Sequence, residues 1–193
     1  MRIAGTILLT LLIAASGVAW SGCGVTFNVP EGWRIEPAGK PAKGTCAIGV
    51  SPKGWKRSVA NSRWDDDAFA VHVTVLHGTF AAAAKKFAFE KDEKGEWGVP
   101  ALRGVWTKAE AVRYGPFRGW RGQSLSRGFA REGAVLGESS RVYSTSWFSY
   151  LLHDGHGTII CVQYNQWNPD IKIDRAAAAN TILSSLARSA PQP

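Results

Sequence analysis

The sequence predicts an α+β fold, a single antiparallel β-sheet with helices packed on it. Short apolar runs between turns are typical of strands, and the 193 residues include 21 glycines. Two segments, 79–87 and 174–186, instead carry apolar residues at helical spacing and predict helices. No stretch has the composition of a linker, so residues 23–187 are predicted to form one domain, followed by a disordered tail at 188–193.

Composition places the chain among ordinary globular proteins. Apolar residues make up 45% and charged residues 20%, which excludes wholesale disorder. The formal net charge of +8 favours anionic surroundings such as phospholipid head groups or acidic wall polymers, although solubility alone explains it equally well.

The N-terminal residues have the layout of a secretory signal peptide. Arg2 precedes an uncharged run rich in Leu, Ile and Ala, residues 3–19, and small residues follow. We expect a signal peptide over residues 1–22, cleaved after Ala19 or after Gly22, and therefore an exported protein, periplasmic or secreted. A retained anchor is the alternative, because the uncharged run is long enough to span a bilayer.

A short sequence motif occurs twice after the predicted signal peptide. Cys23–Trp33 and Cys46–Trp55 each have the pattern of a strand that begins at Cys and ends in the turn sequence Pro-x-Gly-Trp. Two such strands side by side would bring their cysteines together. We therefore expect a Cys23–Cys46 disulfide that pins one edge of the sheet, worth about 3 kcal/mol, and a buried free thiol at Cys161.

A lipid anchor at Cys23 is the competing interpretation. Ser21-Gly22-Cys23 resembles the end of a bacterial lipoprotein signal, and a lipidated Cys23 would leave Cys46 to pair with Cys161. That motif requires Leu or a similar residue three places before the Cys. Trp20 occupies this place, which favours the disulfide.

The remaining elements follow in chain order. Segments 36–44 and 56–67 predict loops, and 68–77 is the clearest strand because its apolar residues alternate. The charged run 90–98 predicts an exposed connection. Asp154-Gly155, between two apolar runs, predicts a hairpin. Further strands are predicted at Ala109–Tyr114, Gly119–Ala130, Arg141–Leu152 and Thr158–Tyr164.

Each predicted helix begins at a residue that can cap it. Thr79 precedes the first helix, in which Phe80, Ala84 and Phe87 fall on one face. Asp174 precedes the second helix, whose apolar residues should lie on one face of the sheet.

The predicted domain opens with Phe27-Asn-Val-Pro-Glu-Gly-Trp33, has the helix at 79–87 in its middle and closes with Ala179-Asn-Thr-Ile-Leu-Ser-Ser-Leu186. This order of elements shows a resemblance to the PsbP-like superfamily. It implies an exported or lipid-anchored single domain with an α/β/α sandwich. It also implies a binding or accessory role, and it supplies no shared catalytic residues.

Arginines and aromatic residues are concentrated between residues 103 and 141. Arginine forks beside aromatic faces suit anionic polymers, sugars or lipid head groups. The alternative is that the arginines lie on the wet face of a sheet and the aromatics in its core. Arg118 and Trp120 share a strand face, whereas Trp120 and Arg121 face opposite ways. The candidate anion-binding residues are Arg113, Arg118, Trp120, Arg121 and Arg127.

Catalytic and metal-binding patterns are sparse. His153, Asp154 and His156 place two imidazoles and a carboxylate around a turn, which suits Zn²⁺ or Cu²⁺, but a further ligand is not in register nearby, and a solvated turn explains them as well. Ser124 lies in a sequence without the final Gly of a nucleophile elbow. Cys161 has apolar neighbours that raise a thiol pKa.

These patterns together predict a monomeric, non-enzymatic binding or accessory domain without a cofactor. Its expected partner is an unknown protein or an anionic envelope component, with peripheral membrane association as one mode. Nucleic acid is not expected, because an exported protein seldom meets it and no known binding motif is present. One alternative is a metal-dependent or hydrolytic enzyme that uses His153 and His156. Another is an interaction protein that binds a second chain through exposed Trp residues, insensitively to salt.

Overall fold

The structure, a computed structural model, describes residues 18–38, 44–55, 69–100, 106–130, 141–166 and 173–189, with only the backbone for 125–130 and 141–145. In these residues the elements are β1 (Ala19–Gly22), β2 (Val25–Asn28), β3 (Trp33–Pro37), β4 (Thr45–Pro52), β5 (Val71–His77), α1 (Phe80–Lys86), β6 (Glu90–Lys91), β7 (Trp97–Pro100), β8 (Trp106–Lys108), β9 (Glu110–Tyr114), β10 (Phe117–Ala130), β11 (Arg141–His153), β12 (Thr158–Gln166), α2 (Arg175–Ser184) and β13 (Ala187–Arg188).

The strands of the described residues form three antiparallel sheets, so the prediction of an α+β sandwich built on a single sheet is wrong. The largest sheet has seven strands in the order β3-β4-β5-β12-β11-β10-β9, and two smaller sheets have the orders β1-β2-β13 and β6-β7-β8. The described protein is therefore mostly β. Apart from β2, which lies in the predicted strand of Cys23–Trp33, the strands of the small sheets escaped prediction because runs of two to four residues are too short to show an alternating pattern.

Each face of the seven-stranded sheet carries a core of its own. On one face Val25 and Phe27 of β2 and Leu183 of α2 pack with residues such as Val162 of the sheet. On the other face Ala83 and Ala84 of α1 and Val99 of β7 pack against Leu151, Ile159 and Cys161. Successive strand residues point to opposite faces, so Cys161 and Val162 serve different cores. Each face is thus covered by one helix together with one small sheet.

Both predicted helices and their caps are confirmed. The Thr79 hydroxyl accepts a hydrogen bond from the Ala82 N–H at 3.3 Å, and the Asp174 carboxylate accepts one from the Ala177 N–H at 2.8 Å. These bonds satisfy N–H groups that the first turn of a helix leaves without partners.

The Pro-x-Gly-Trp turns are confirmed in both copies. The Trp33 N–H donates to the Pro30 carbonyl at 3.1 Å, and the Trp55 N–H donates to the Pro52 carbonyl at 3.0 Å. In each turn the glycine has a positive φ, 76° for Gly32 and 82° for Gly54. The Asp154-Gly155 hairpin is confirmed as well, and it joins β11 to β12.

The Cys23–Cys46 disulfide is present, but the two copies of the Pro-x-Gly-Trp motif do not form neighbouring strands. The first copy supplies β2 of a small sheet, whereas the second supplies β4 of the large sheet, where β4 pairs with β3 and β5. The disulfide therefore ties one sheet to the other instead of pinning one edge. Cys161 is free and buried, as predicted, and the Cys46–Cys161 alternative is excluded.

The two ends of the described chain meet on the small sheet around β2. Residues 1–17 of the predicted leader lie outside the described residues, but its last residues form β1, in which Ala19 pairs with Asn28. Arg188, in the predicted tail, pairs with Val25 through β13, while residues 190–193 lie outside the described part. No helix in the described ranges is both long and apolar enough to cross a membrane.

Candidate functional site

Strand register places three basic side chains in one row. Arg113 of β9 lies opposite Arg118 of β10, and Arg118 lies opposite His153 of β11. Trp120 follows two residues after Arg118 and therefore shares its face of the sheet, as predicted. The row lies near the β9 edge of the seven-stranded sheet, on the same face as the core that α1 covers.

Aromatic rings extend the row into a continuous cluster. The Phe80 ring of α1 lies 4.9 Å from His153 and 5.5 Å from Trp97 of β7, and Trp97 lies 6.4 Å from Trp120 between ring centroids. The Lys91 ammonium lies 5.2 Å from the Trp97 ring, a cation–π distance. We call this surface the basic aromatic patch: Phe80, Lys91, Trp97, Arg113, Arg118, Trp120 and His153.

The electrostatics of the patch are unbalanced. Within the described ranges neither Arg113 nor Arg118 takes part in an ion pair, and both are exposed. Like charges directly opposite on neighbouring strands destabilise a sheet. Partial burial, and then the charge of Arg118, lower the pKa of His153 below its ordinary value of 6.5. The free protein therefore holds this imidazole neutral near pH 7.

The lowered pKa of His153 predicts a pH dependence of stability. The unfolded chain binds a proton at this imidazole at a higher pH than the folded chain does, so the free energy of unfolding falls as the pH drops below about 6.5 and levels off below the folded pKa. His153→Gln should flatten this step in urea unfolding curves measured across that range. An unchanged pH profile in the variant would contradict the assignment.

Two of the predicted anion-binding arginines, Arg121 and Arg127, are not part of the patch as the structure describes it. Arg121 is on the opposite face, where its guanidinium pairs with Glu110 at 3.0 Å and lies 5.1 Å from the Phe148 ring and 6.0 Å from the Tyr150 ring. Strand alternation turns Arg121 away from Arg118, and on the opposite face Glu110 pairs with its charge. Arg127 belongs to β10, but its side chain lies outside the described residues.

The structure does not assemble His153, Asp154 and His156 into a metal site. The Asp154 carboxylate accepts the N–H groups of His156 at 2.7 Å and of Thr158 at 3.1 Å, and it pairs with Arg188 at 3.1 Å. Burial alone would raise the pKa of Asp154, but these partners outweigh it and lower the pKa. Among the described residues no three His, Cys, Asp or Glu side chains lie close enough to hold an ion.

The nucleophile candidates are equally poorly equipped. Complete burial raises the pKa of the Cys161 thiol far above its ordinary value, which keeps it in the unreactive form. Ser124 lines a cavity whose described lining contains no His, Asp or Glu to serve as a base.

The patch contains residues that the sequence did not single out. Phe80, Lys91 and Trp97 come from α1 and the β6-β7-β8 sheet, which lie against the seven-stranded sheet only in the tertiary structure. The nine Trp residues scattered along the chain indicate aromatic surfaces in general, but not which rings meet.

No protein-family model matches the chain, and a search of curated proteins finds no match either.

Proposed function

We propose that this protein is an exported, non-enzymatic binding or accessory domain that holds an anionic component of the cell envelope on its basic aromatic patch. The disulfide supports export, because such bonds persist in oxidising compartments. The resemblance to the PsbP-like superfamily agrees with a binding or accessory role and is part of this proposal.

The observation that carries the proposal is the Arg113–Arg118 pair. Two exposed guanidinium groups occupy directly opposite positions on neighbouring strands, and a third basic group, His153, follows in the same row. The repulsion between the two guanidinium groups lowers the stability of the free sheet. A bound phosphate, sulfate or carboxylate group would relieve this repulsion and accept forked hydrogen bonds from both arginines.

The aromatic half of the patch suits the non-ionic part of such a ligand. Trp97 and Trp120 are half-buried, so that each indole contacts the core on one side and remains partly accessible on the other. Indole rings of this kind favour the boundary between water and apolar material. The patch therefore fits the surface of an anionic membrane or of an acidic polymer.

The direct test compares two double variants that remove the same charge. Arg113→Gln with Arg118→Gln should weaken binding to vesicles that contain phosphatidylglycerol by roughly thirtyfold, because each surface cation near such a membrane contributes about 1 kcal/mol. Arg34→Gln with Lys53→Gln, exposed residues at the β3 end of the sheet, is the matched control and should bind nearly as the wild type does. Co-sedimentation measured over a range of salt provides the affinities.

The second arm of this test replaces the vesicles by heparin. If the patch variant binds both vesicles and heparin more weakly, the patch binds anions of either kind. If it loses only one of them, that ligand identifies the class, a membrane surface or an acidic polymer. Equal weakening in both double variants would show that net charge alone drives binding. Unchanged binding in the patch variant would remove the proposal.

Export also predicts where the mature chain begins. The Trp20 ring packs on Phe27 at 4.8 Å, and the Thr26 hydroxyl donates to the Trp20 carbonyl at 2.8 Å, so β1 contributes to the folded domain. We expect the exported chain to keep Trp20, which argues against the predicted cleavage after Gly22 and is compatible with cleavage after Ala19. The small residues Ala15 and Gly17 place a further suitable cleavage site before Val18.

N-terminal sequencing of the exported protein checks this directly. A chain that starts at Cys23 should be less stable by about 1–2 kcal/mol than one that starts at Val18, because it lacks the partly buried indole. Recovery of a mature protein that begins at Cys23 and unfolds at the same denaturant concentration as the longer chain would contradict the prediction.

A further inference from the structure

A cavity of about 280 Å³ lies beside the basic aromatic patch, between the seven-stranded sheet and the layer formed by α1 and β7. Its floor comes from β10, β11 and β12, and its rim comes from the end of α1 and from β7. The residues that decide its chemistry are Phe87, Val99, Ser124, Trp147, Ser149 and Gln163.

The side chains on the floor of the cavity change from apolar to polar between two successive rows of paired residues on β10, β11 and β12. Trp120, Leu151 and Cys161 lie opposite one another in the register and form part of the apolar core beneath α1. In the next row on the same face, Ser149 lies opposite both Gln163 of β12 and Gly122 of β10. A gap left by imperfect packing would be lined by apolar groups, whereas polar groups converge here.

The polar groups retain hydrogen-bonding capacity. The Gln163 amide donates to the Ser149 hydroxyl oxygen at 3.0 Å, which leaves the Ser149 proton and the Gln163 carbonyl oxygen for another partner. The Ser124 hydroxyl, two residues beyond Gly122 on the same face of β10, makes no side-chain hydrogen bond with any described residue. The cavity thus offers donors and acceptors on one wall.

Two aromatic side chains add apolar surface to the lining of the cavity. Trp147 lies directly opposite Ser124 in the register of β10 and β11, and Phe87 reaches the cavity from the end of α1. No described residue that lines the cavity is charged. The preferred ligand is therefore uncharged, has hydroxyl groups along one side, and presents an apolar face to an aromatic ring.

We propose that this cavity binds one ring of a neutral sugar. A pyranose ring has equatorial hydroxyl groups that both donate and accept, and its C–H faces pack against aromatic rings. Pockets for larger ligands typically measure about 300–1,000 Å³, so a cavity of this volume suits a single ring. The site does not depend on the proposed anion surface, although Gly122 and Arg118 are four residues apart on β10, about 13 Å.

The experiment titrates the ¹⁵N-labelled full chain with glucose, galactose, mannose and N-acetylglucosamine and follows the amide and indole signals by NMR. At least one sugar should bind at millimolar concentrations and shift the signals of residues 122–124, 147–149 and 163. Ser149→Ala and Gln163→Leu should each weaken that sugar about tenfold, the effect of one hydrogen bond lost to a bound ligand.

The matched control is Gln123→Leu. Gln123 lies on the same strand as Ser124 but on the opposite face, where it contacts Ser146 at 3.5 Å. This variant should bind the sugar as the wild type does, and a thermal melt of each variant confirms that it is folded. Three results would overturn the proposal: no shifts with any of the sugars, equal affinity in the cavity variants and the wild type, or tighter binding of indole than of every sugar.

Discussion

Replacing both Cys23 and Cys46 by Ser should lower the free energy of unfolding by about 3 kcal/mol, the cost expected for releasing a loop of this length. The two residues are 23 apart in the sequence, with 6.2 Å between their Cα atoms. Because the bond joins the β1-β2-β13 sheet to the seven-stranded sheet, its loss frees one layer from the other. For a chain of this size the melting temperature should fall by roughly 6–12 °C.

Reduction provides the control for this prediction. Wild-type protein treated with dithiothreitol should melt close to the temperature of the double variant, whereas the double variant should be insensitive to the reductant. Cys161 lies buried without a partner, so its thiol is the same in both states. Equal melting temperatures for the oxidised and reduced wild type would show that the small sheet is held by packing alone.

Gly119→Ala should be at least as disruptive, at about 3 kcal/mol or more. A methyl group on Gly119 would overlap the backbone carbonyl oxygen of Leu151, and it would lie 2.9 Å from the Cα of Leu152. A backbone group cannot rotate away, so β10 and β11 would have to separate where they hold the Arg113–Arg118–His153 row. Overpacking of a closed interior costs about 1–3 kcal/mol even where side chains can move.

Gly122→Ala is the matched control on the same strand. The added methyl group would lie 2.5 Å from a methyl carbon of Val99 and 3.3 Å from the Phe89 ring, and these are side chains that can shift. We expect a cost of about 1 kcal/mol. Urea unfolding of both variants provides the comparison, and a Gly119→Ala protein as stable as Gly122→Ala would contradict the backbone argument.

Local patterns predicted the elements that depend on neighbours in the chain. Thr79 and Asp174 cap helices, Gly32 and Gly54 supply the positive φ of their turns, and Asp154-Gly155 closes its hairpin. In each case the stabilising bond joins residues within a few positions of one another. Such interactions are visible in a sequence because the spacing itself defines them.

The candidate site could be predicted only in part, for the same reason. Alternation along β10 correctly placed Arg118 with Trp120 and turned Arg121 away, where it meets Glu110 and Phe148. Alternation does not reveal that Arg113 and His153 flank Arg118, because register between strands depends on the turns and on the core. Trp97 and Phe80 join the patch across layers that no local pattern specifies.

The sequence by itself determined the caps, the turns, the longer strands and the burial of Cys161, and it favoured a Cys23–Cys46 disulfide over the Cys46–Cys161 alternative. Only the tertiary structure decided that the described strands form three sheets, that the Cys23–Cys46 disulfide joins two of them, and that polar residues of β10, β11 and β12 meet in one cavity. The physical reason is range: bonds between chain neighbours are encoded in spacing, whereas packing between layers depends on which surfaces exclude water together.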